Sequence, residues 1–446
     1  MAATAPITPE SLAQRTASIN DAIARIITAA TAYAETTERS LDAGPNTGLL
    51  QAAAATTVAA AQEALAAETK KLLAEVLGPF GAILELLGST GRASALRCLL
   101  ELDVFAALPA DGTPTTADEL VRRLAADGGT DVEKALLVRL LRNVTDPGSG
   151  SGSGPLVAEA GEEAYALTPF SAALRGAAGA QLVPLVKQVF DESFPALVGM
   201  PEFFRERGWR VPADQADCPY TSAHRTGGLG MWDHIARFPD RQANCNAAMK
   251  AQSFDGVWAV GLYPFSERLG SVGESDEDEK TRPLVVDVGG GAGYTSRKIR
   301  ELCAGIKGTV VLQDREMVVA DAEDLDGVVR MAHDFFAEQP VKGAHIYYLR
   351  RILHDWSDAA SVTILSQLAA AMDRDLPSRV VVAEQILPAR GVSAQSAWVD
   401  LTMMTFTGME RTEGQWGELL ARAGLRVERV YRAPGTTFAA IEAVLA

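Results

Sequence analysis

The sequence has few cysteines and no excess of positive charge. Its 446 residues include four cysteines, which form neither a CxxC pair nor a cluster at metal-ligand spacing. We therefore predict no disulfide framework and no metal site. Lys and Arg number 41 against 57 Asp and Glu, and the net charge of −16 disfavours nucleic acid and anionic membranes as partners.

Signals for export or membrane insertion are also lacking. The N-terminus has no basic segment followed by an apolar one, and no stretch of about 18 apolar residues is free of polar ones. With so few cysteines, these absences predict a cytoplasmic protein without a membrane partner. The 48% of apolar and 22% of charged residues are typical of a globular protein, and the length indicates two or three domains.

The first 180 residues predict two helical regions. Residues 1–85 are rich in helix formers, and their long apolar stripe indicates an N-terminal arm covered by a second chain, hence a homodimer. A bundle within one chain is the alternative. Residues 86–180 contain short helices followed by two strand-like runs around PGSGSGSGP, the pattern of a winged helix.

A winged helix raises the possibility of a DNA-binding regulator. Residues 92–175 contain eight basic and twelve acidic residues, so this segment carries a net charge of −4. We therefore favour a structural module over a DNA-binding one.

Two regions follow. Residues 181–280 are mixed and partly helical, and we assign them to a substrate pocket and linker that ends in the acidic run 274–279. Residues 281–446 alternate strand-like and helix-like segments, which predicts an α/β fold with a Rossmann-like, doubly wound, seven-stranded sheet. Ligands of such sheets bind at the carboxyl ends of the strands.

A glycine-rich turn ends the first of these strands. VVDVGGGAGY places Asp287, Gly289, Gly291 and Gly293 before a helix, but a GxGxxG dinucleotide fingerprint would need glycine at Tyr294. The D-x-G-x-G-x-G form resembles motif I of S-adenosylmethionine-dependent methyltransferases. A tight turn without a ligand is the alternative.

Acidic residues end the next two predicted strands. Asp314 lies 21 residues after Gly293, a spacing at which a carboxylate accepts from the two ribose hydroxyls of a nucleoside. Asp334 suits the adenine amino group, with Phe335 against the ring. Helix capping is the alternative for either aspartate.

One histidine of five lies beyond the carboxyl end of a strand, in YYLRRILHDWSD. With an ordinary pKa near ~6.5, His354 suits a general base that deprotonates a phenol. Glu384 lies at the close of the fifth predicted strand and Glu410 just before a helix, and we predict that they orient this imidazole through hydrogen bonds. Met403, Met404 and Phe406 indicate either core or the wall of a pocket for a flat aromatic ligand.

With these residues in place, residues from about 90 to 446 resemble the caffeate-type class of plant and fungal small-molecule O-methyltransferases. The ordered motifs are DVGGGAG, LQDR, HDFF, LRRILHDWSD, VVAEQILP and GMERTEGQW. The resemblance implies a homodimer with a winged-helix domain before a methyltransferase domain, S-adenosylmethionine as cofactor, and a phenolic or polyketide-like secondary metabolite as substrate.

Carried over to this sequence, the resemblance implies roles for individual residues. His354 matches the catalytic base and Glu384 and Glu410 its flanking glutamates, while Asp314 and Asp334 match the ribose and adenine acids. Arg315 and Arg350 stand where the plant pattern differs, and they keep the charge of the cofactor site. The implied substrate contacts are Trp232, Cys245, Met249, Asp355, Met404 and Thr405.

These observations predict an S-adenosylmethionine-dependent O-methyltransferase that acts on a small aromatic hydroxyl without a metal. Cysteine at 245 and threonine at 405, where the family has an aromatic residue and asparagine, leave the acceptor and its regiochemistry open. A relative that binds the cofactor but catalyses a dehydration or pericyclic step is the rival within the same fold.

Overall fold

The chain forms two compact units in a computed structural model, residues 1–190 and 191–446. The residues described are 9–42, 49–145, 155–253, 260–270, 282–322, 324–375, 377–432 and 436–446. The predicted helix break at 44–46, most of the glycine-serine tip and the acidic run 274–279 lie outside these ranges.

Two long helices begin the first unit, α1 (Pro9–Asp42) and α2 (Leu49–Glu101). An ion pair joins them, with Arg25 Nε 2.8 Å from Glu68 Oε2. Helix α2 is kinked at Gly78, which has a φ of 68° and is followed by Pro79. The kink forms there because proline lacks the amide hydrogen that would continue the helix. The helix continues past residue 85, so the border that we predicted there falls inside it.

Part of α2 qualifies as a membrane span by length and composition. The segment Ala60–Glu101 contains an apolar window with few charges, and this window is not buried within the chain. The search for uninterrupted apolar runs did not detect this segment, because occasional charged residues interrupt it while it stays apolar on average. The same exposed side chains are those that the predicted homodimer would cover.

Short helices and a small sheet complete the first unit. The three strands pair antiparallel in the order β1-β3-β2 around a core that includes Leu99, Leu120, Leu141 and Tyr165. The described residues thus contain the helical N-terminal region that we predicted, followed by short antiparallel strands. The elements are α3 (Val104–Ala107), β1 (Thr115–Thr116), α4 (Ala117–Ala125), α5 (Lys134–Thr145), β2 (Val157–Gly161), β3 (Ala164–Leu167), α6 (Pro169–Ala172) and α7 (Gly176–Gln188).

Helices begin the second unit, which starts within a π-helical turn at Val189–Ser193. Two of them begin at a proline and α8 ends before Gly208, so proline and glycine mark helix ends in this mixed segment. They are α8 (Phe194–Arg207), α9 (Pro219–His224), α10 (Met231–Ile235), α11 (Pro239–Ser253) and α12 (Phe265–Leu269).

A doubly wound sheet forms the rest of the second unit. Among the described residues, seven strands lie in the order β6-β5-β4-β7-β8-β11-β10, and the two-residue strand β9 pairs with β8. The strands are β4 (Val285–Val288), β5 (Val310–Asp314), β6 (Val328–Ala332), β7 (Ile346–Arg350), β8 (Arg379–Leu387), β9 (Arg411–Thr412), β10 (Leu425–Arg432) and β11 (Phe438–Leu445). The helices between them are α13 (Tyr294–Leu302), α14 (Glu316–Ala320), α15 (Asp358–Ala371), α16 (Ala394–Met404) and α17 (Glu413–Arg422). The predicted fold class is confirmed.

Apolar layers cover both faces of this sheet. Val286, Val382 and Trp416 belong to one buried cluster, while Val285 and Tyr348 belong to another. Neighbouring residues of β4 thus enter opposite layers, as the period of a strand requires. Strands β4 to β8 are parallel, and the strand order reverses between β4 and β7. A ligand crevice is expected there, at the carboxyl ends of these two strands.

Candidate active site

The glycine turn after β4 allows other atoms to approach its backbone closely. Gly289, Gly291 and Gly293 all have positive φ, at 72°, 60° and 90°, which favours glycine over other residues. A Cβ on Gly289 would lie 2.5 Å from Ile352 Cδ1, so this position packs on the segment after β7. A Cβ on Gly291 would meet nothing within 4 Å, so the turn has open space on that side.

Asp287 supports this turn from beneath. It is 1% exposed, and its Oδ2 accepts a hydrogen bond of 2.6 Å from Ser296 Oγ on α13. Burial raises the pKa of the Asp287 carboxyl to about 7 against the opposing effect of this hydrogen bond. We predicted a cofactor-binding role for this residue, and the structure places it where it holds the turn to the helix.

Asp314 connects the end of β5 to the turn. Its Oδ2 accepts from the Gly291 amide at 2.9 Å, and its Oδ1 accepts from the Arg315 amide at 2.7 Å. Burial raises the pKa of this carboxyl, while the two amides act in the opposite sense. The Arg315 guanidinium donates to the Trp232 carbonyl at 3.5 Å, which brings α10 to the same edge of the sheet.

Asp334 and its neighbours occupy the next strand end. Asp334 is exposed, and its Oδ1 accepts from the Phe336 amide at 3.0 Å. One of its carboxylate oxygens is thus already hydrogen-bonded within its own turn. Phe335 packs edge-on against Trp356 with ring centroids 5.6 Å apart. Arg350 ends β7, and its positive charge partly opposes the rise in the pKa of Asp287 that burial causes.

His354 lies in a single 3-10 turn, Leu353–Asp355, directly beyond β7. It is 4% exposed, and its Nδ1 lies 2.8 Å from Glu410 Oε1. Because a carboxylate oxygen accepts, Nδ1 carries the hydrogen and donates it. The other ring nitrogen, Nε2, lies 3.5 Å from Asp355 Oδ1.

Glu384 holds the turn rather than the ring. Its Oε1 accepts from the amides of Ile352, Leu353 and His354 at 2.9, 3.0 and 3.4 Å. We predicted that both glutamates accept hydrogen bonds from the imidazole, whereas Glu384 accepts from backbone amides. The reason is its position in β8, the strand beside β7, where its side chain meets the amides that follow β7.

The buried charges around His354 act strongly on each other. Burial alone lowers the pKa of the imidazole, but the carboxylates of Glu384, Asp355 and Glu410 outweigh burial and raise it to about 9. Burial also raises the pKa of Glu384 to about 7 and that of Asp355 above its ordinary range. The imidazole is therefore a stronger base than the ordinary value used in the sequence analysis indicates.

The expected substrate residues gather only in part. Cys245 and Phe406 are buried together with Tyr220, and Trp232 packs on this cluster with its ring 6.3 Å from Phe406. Burial raises the pKa of the Cys245 thiol to about 12, with Asp355 among the smaller contributors. Met404 is half-buried and Met249 is 39% exposed.

Thr405 differs from its expected role. It is fully buried, and its hydroxyl donates to the Thr402 carbonyl at 2.6 Å, closing the end of α16. Its carbonyl accepts from the Tyr220 amide at 2.8 Å. Both polar groups thus serve the fold, as those of threonine at a helix end often do.

Sequence reasoning missed two residues beside His354. Asp400 Oδ1 accepts from the Glu410 amide at 2.8 Å, and buried Arg411 donates to carbonyls of the His354 turn. The signal for Arg411 was its position next to Glu410 in GMERTEGQW. In the part of the chain that the structure describes, no group of three or more His, Cys, Asp or Glu side chains is placed to hold a metal ion.

Fold and site together define a protein with a doubly wound sheet, a cofactor turn after β4 and a buried histidine-carboxylate pair after β7. A family model for an O-methyltransferase domain matches residues 209–426. The O-methyltransferase opaF of Aspergillus ustus is 40% identical over 386 residues, covering 85% of this chain and 86% of that protein. The chain belongs to this O-methyltransferase family.

Other comparisons agree on the family and widen the range of chemistry. A demethylsterigmatocystin 6-O-methyltransferase of Aspergillus flavus is 31% identical, covering 74% of this chain and 78% of that protein. The crystal structure of OxaC with SAH and oxaline matches with a TM-score of 0.80 at 30% identity, covering 97% and 100%. A structure described as a pericyclic reaction enzyme matches with a TM-score of 0.74 at 26% identity, covering 93% and 99%.

Proposed function

We propose that this protein is an S-adenosylmethionine-dependent O-methyltransferase that methylates a hydroxyl of a small phenolic or polyketide-like metabolite, with His354 as the general base. The observation that carries the proposal is the buried hydrogen bond from His354 Nδ1 to Glu410 at the carboxyl edge of β7. It leaves Nε2 to accept a proton, and the glycine turn of β4 lies next to the same segment.

The residues of the β4 and β5 ends suit the cofactor. Open space at Gly291 admits a ligand close to the backbone, and Asp314 places two carboxylate oxygens beside it for vicinal hydroxyls. Further candidates at neighbouring strand ends are Arg315, Asp334, Phe335 and Arg350. When bound, the cofactor supplies a methyl group on a positively charged sulfur, which is a good leaving group.

The remaining chemistry belongs to the chain. The His354 imidazole takes the hydroxyl proton on Nε2 while Glu410 holds Nδ1–H, as the orienting acid does in a serine hydrolase triad. Because the neighbouring carboxylates raise the pKa of the imidazole to about 9, most of it is protonated at pH 7. The rate is therefore expected to rise with pH and to level off above the pKa of the imidazole.

The aromatic class of the acceptor is inferred from the side chains of the cluster around Phe406 and from the relatives. Trp232, Phe406 and Met403 provide flat and polarizable surfaces. The relative named for the 6-oxygen of demethylsterigmatocystin supports a polyketide-type acceptor. Incubation with methyl-labelled cofactor and a panel of phenols, read by mass spectrometry, tests the proposal. No labelled product from any phenol would contradict it.

A pericyclic or dehydrating activity is the second candidate, favoured by the structural match to a pericyclic reaction enzyme. The two differ in whether the methyl group leaves the cofactor. Product formation without loss of label from the cofactor would support the second candidate, and transfer of label to an oxygen would support the first.

We expect Asp314→Ala to weaken cofactor binding by about 1.5–3 kcal/mol, the range for hydrogen bonds to a charged group. The variant also loses the acceptor for the Gly291 amide, so the turn is less well held. Isothermal calorimetry measures the affinity directly. Glu316→Ala, two residues further on, is the control and is expected to bind normally. Unchanged affinity of folded Asp314→Ala would exclude this residue from the cofactor site.

We also propose a homodimer through the N-terminal helices. Val76, Phe80, Ile83, Leu84 and Leu87 are all more than half exposed on α2, and Phe80 reaches 76%. An apolar helix face of this extent needs a cover. We expect light scattering at micromolar concentration to give twice the chain mass, and Phe80→Glu with Leu84→Glu to reduce it to one. A monomeric wild-type protein would refute the proposal.

A further inference from the structure

Arg411 is a fully buried cation that contacts the backbone on both sides of His354. It begins β9, which pairs with β8 at Ile386. Its Nη1 donates to the Leu353 carbonyl and its Nη2 to the Trp356 carbonyl, both at 2.9 Å. Its Nε and Nη2 also donate to Asp358 Oδ1 at 3.0 and 2.9 Å.

The turn that carries His354 is thereby held by neighbouring segments. Glu384 accepts from its amides, Arg411 donates to the carbonyls at its two ends, and the Met409 amide donates to the His354 carbonyl at 2.8 Å. Gly408 lies directly against that carbonyl, where a Cβ would clash. Three successive residues, Met409 to Arg411, therefore contact either the turn's backbone or the imidazole.

We propose that Arg411 is a positioning residue for the general base. Glu410 aims the imidazole through Nδ1, but this orientation is useful only if the turn itself stays at a constant distance from the segment that carries Glu410. Arg411 supplies that constraint, because its planar guanidinium group, with its donors in a fixed fork-like arrangement, bonds two carbonyls and a carboxylate at once. The ring of Trp416, 5.0 Å below the guanidinium, keeps the fork in its plane.

Lysine at this position would retain the positive charge but not the fork. A single ammonium group has no fixed geometry that spans the Leu353 and Trp356 carbonyls together with Asp358. The turn would then shift relative to Glu410, and a displacement of about 1 Å costs on the order of 10²-fold in rate.

This inference rests on the proposed role of His354, and the experiment separates the two. We measure kcat, KM and cofactor affinity for wild type, Arg411→Lys and His354→Ala with an ordinary phenol and with an acidic nitrophenol, which needs no base. For Arg411→Lys we expect kcat with the ordinary phenol to fall about 10²-fold, with the nitrophenol much less affected and cofactor affinity unchanged. Arg422→Lys is the matched control, because Arg422 is half-exposed and contacts Asp358 at 3.4 Å without touching the turn.

The outcomes separate a positioning role from a structural one. Equal losses with both phenols in Arg411→Lys, while His354→Ala remains selective, would overturn the inference and leave the base in place. Full activity of Arg411→Lys would overturn it too. If His354→Ala shows no selectivity, the proposed base itself fails. Should Arg411→Lys not fold, Asp358→Asn decides, since it loosens the anchor of Arg411 and is expected to give a smaller loss with the same selectivity for the ordinary phenol.

Discussion

Replacing His354 with alanine is expected to lower the turnover of an ordinary phenol by about 10²–10⁴-fold, the usual contribution of general base catalysis. The imidazole offers Nε2, the ring nitrogen that is not bonded to Glu410, so replacing His354 with alanine removes the proposed proton acceptor. Cofactor affinity should change little, because the glycine turn and Asp314 do not depend on the ring. Steady-state kinetics and calorimetry measure the two quantities separately.

The acidity of the acceptor provides an internal control for this variant. A nitrophenol is already anionic near neutral pH, so its methylation needs no base and should suffer much less. Raising the pH toward the pKa of an ordinary phenol, ~10, should recover part of the lost rate because the solvent then removes the proton. Equal losses with both acceptors and no recovery at high pH would show that His354 shapes the pocket instead.

Replacing Glu410 with glutamine is expected to lower turnover by about 10²–10³-fold and to move the midpoint of the pH-rate profile to a lower pH. A carboxylate accepts only, so it selects the imidazole tautomer with Nδ1–H, whereas an amide also offers a donor and permits the wrong tautomer. Glu410 is also one of three carboxylates that raise the pKa of His354 to about 9. Removing its charge lowers that pKa, so the rate should reach its plateau at a lower pH than in the wild type.

The pH profile distinguishes this account from a loss of packing. A merely structural defect would reduce the rate at every pH and leave the midpoint of the profile unchanged. Glu413→Gln serves as the control, since Glu413 is exposed and pairs with Arg432 away from the base. A midpoint that stays in place or rises in Glu410→Gln would show that this carboxylate does not act on the base.

The sequence by itself determined the fold of the second unit and the strand ends that carry function. Runs such as VVVAEQIL are almost continuously apolar, which is the pattern of parallel strands buried on both faces, and this run lies within β8 (Arg379–Leu387). The turn after β4 needs residues with positive φ, a local requirement that glycine meets, so the run of glycines in the sequence already indicates this turn. Since parallel strands end at one edge of a sheet, Asp314 and His354 could be placed there without coordinates.

Only the tertiary structure decided what each of these residues contacts. Glu384 and Glu410 looked equivalent in the sequence, yet one accepts from the amides of the His354 turn and the other from the ring. Arg411 carried no signal beyond its position beside Glu410, and the hydroxyl of Thr405 turned out to close its own helix.

The basicity of His354 also belongs to the tertiary structure. Its pKa follows from burial and from carboxylates 30 and 56 residues further along the chain, together with the adjacent Asp355. Interactions between charges in a buried site depend on distance and solvent exclusion, and neither quantity is encoded in spacing along the sequence. Patterns of neighbouring residues specify strands, turns and their order, whereas the strength of the base depends on which side chains the folded chain brings together.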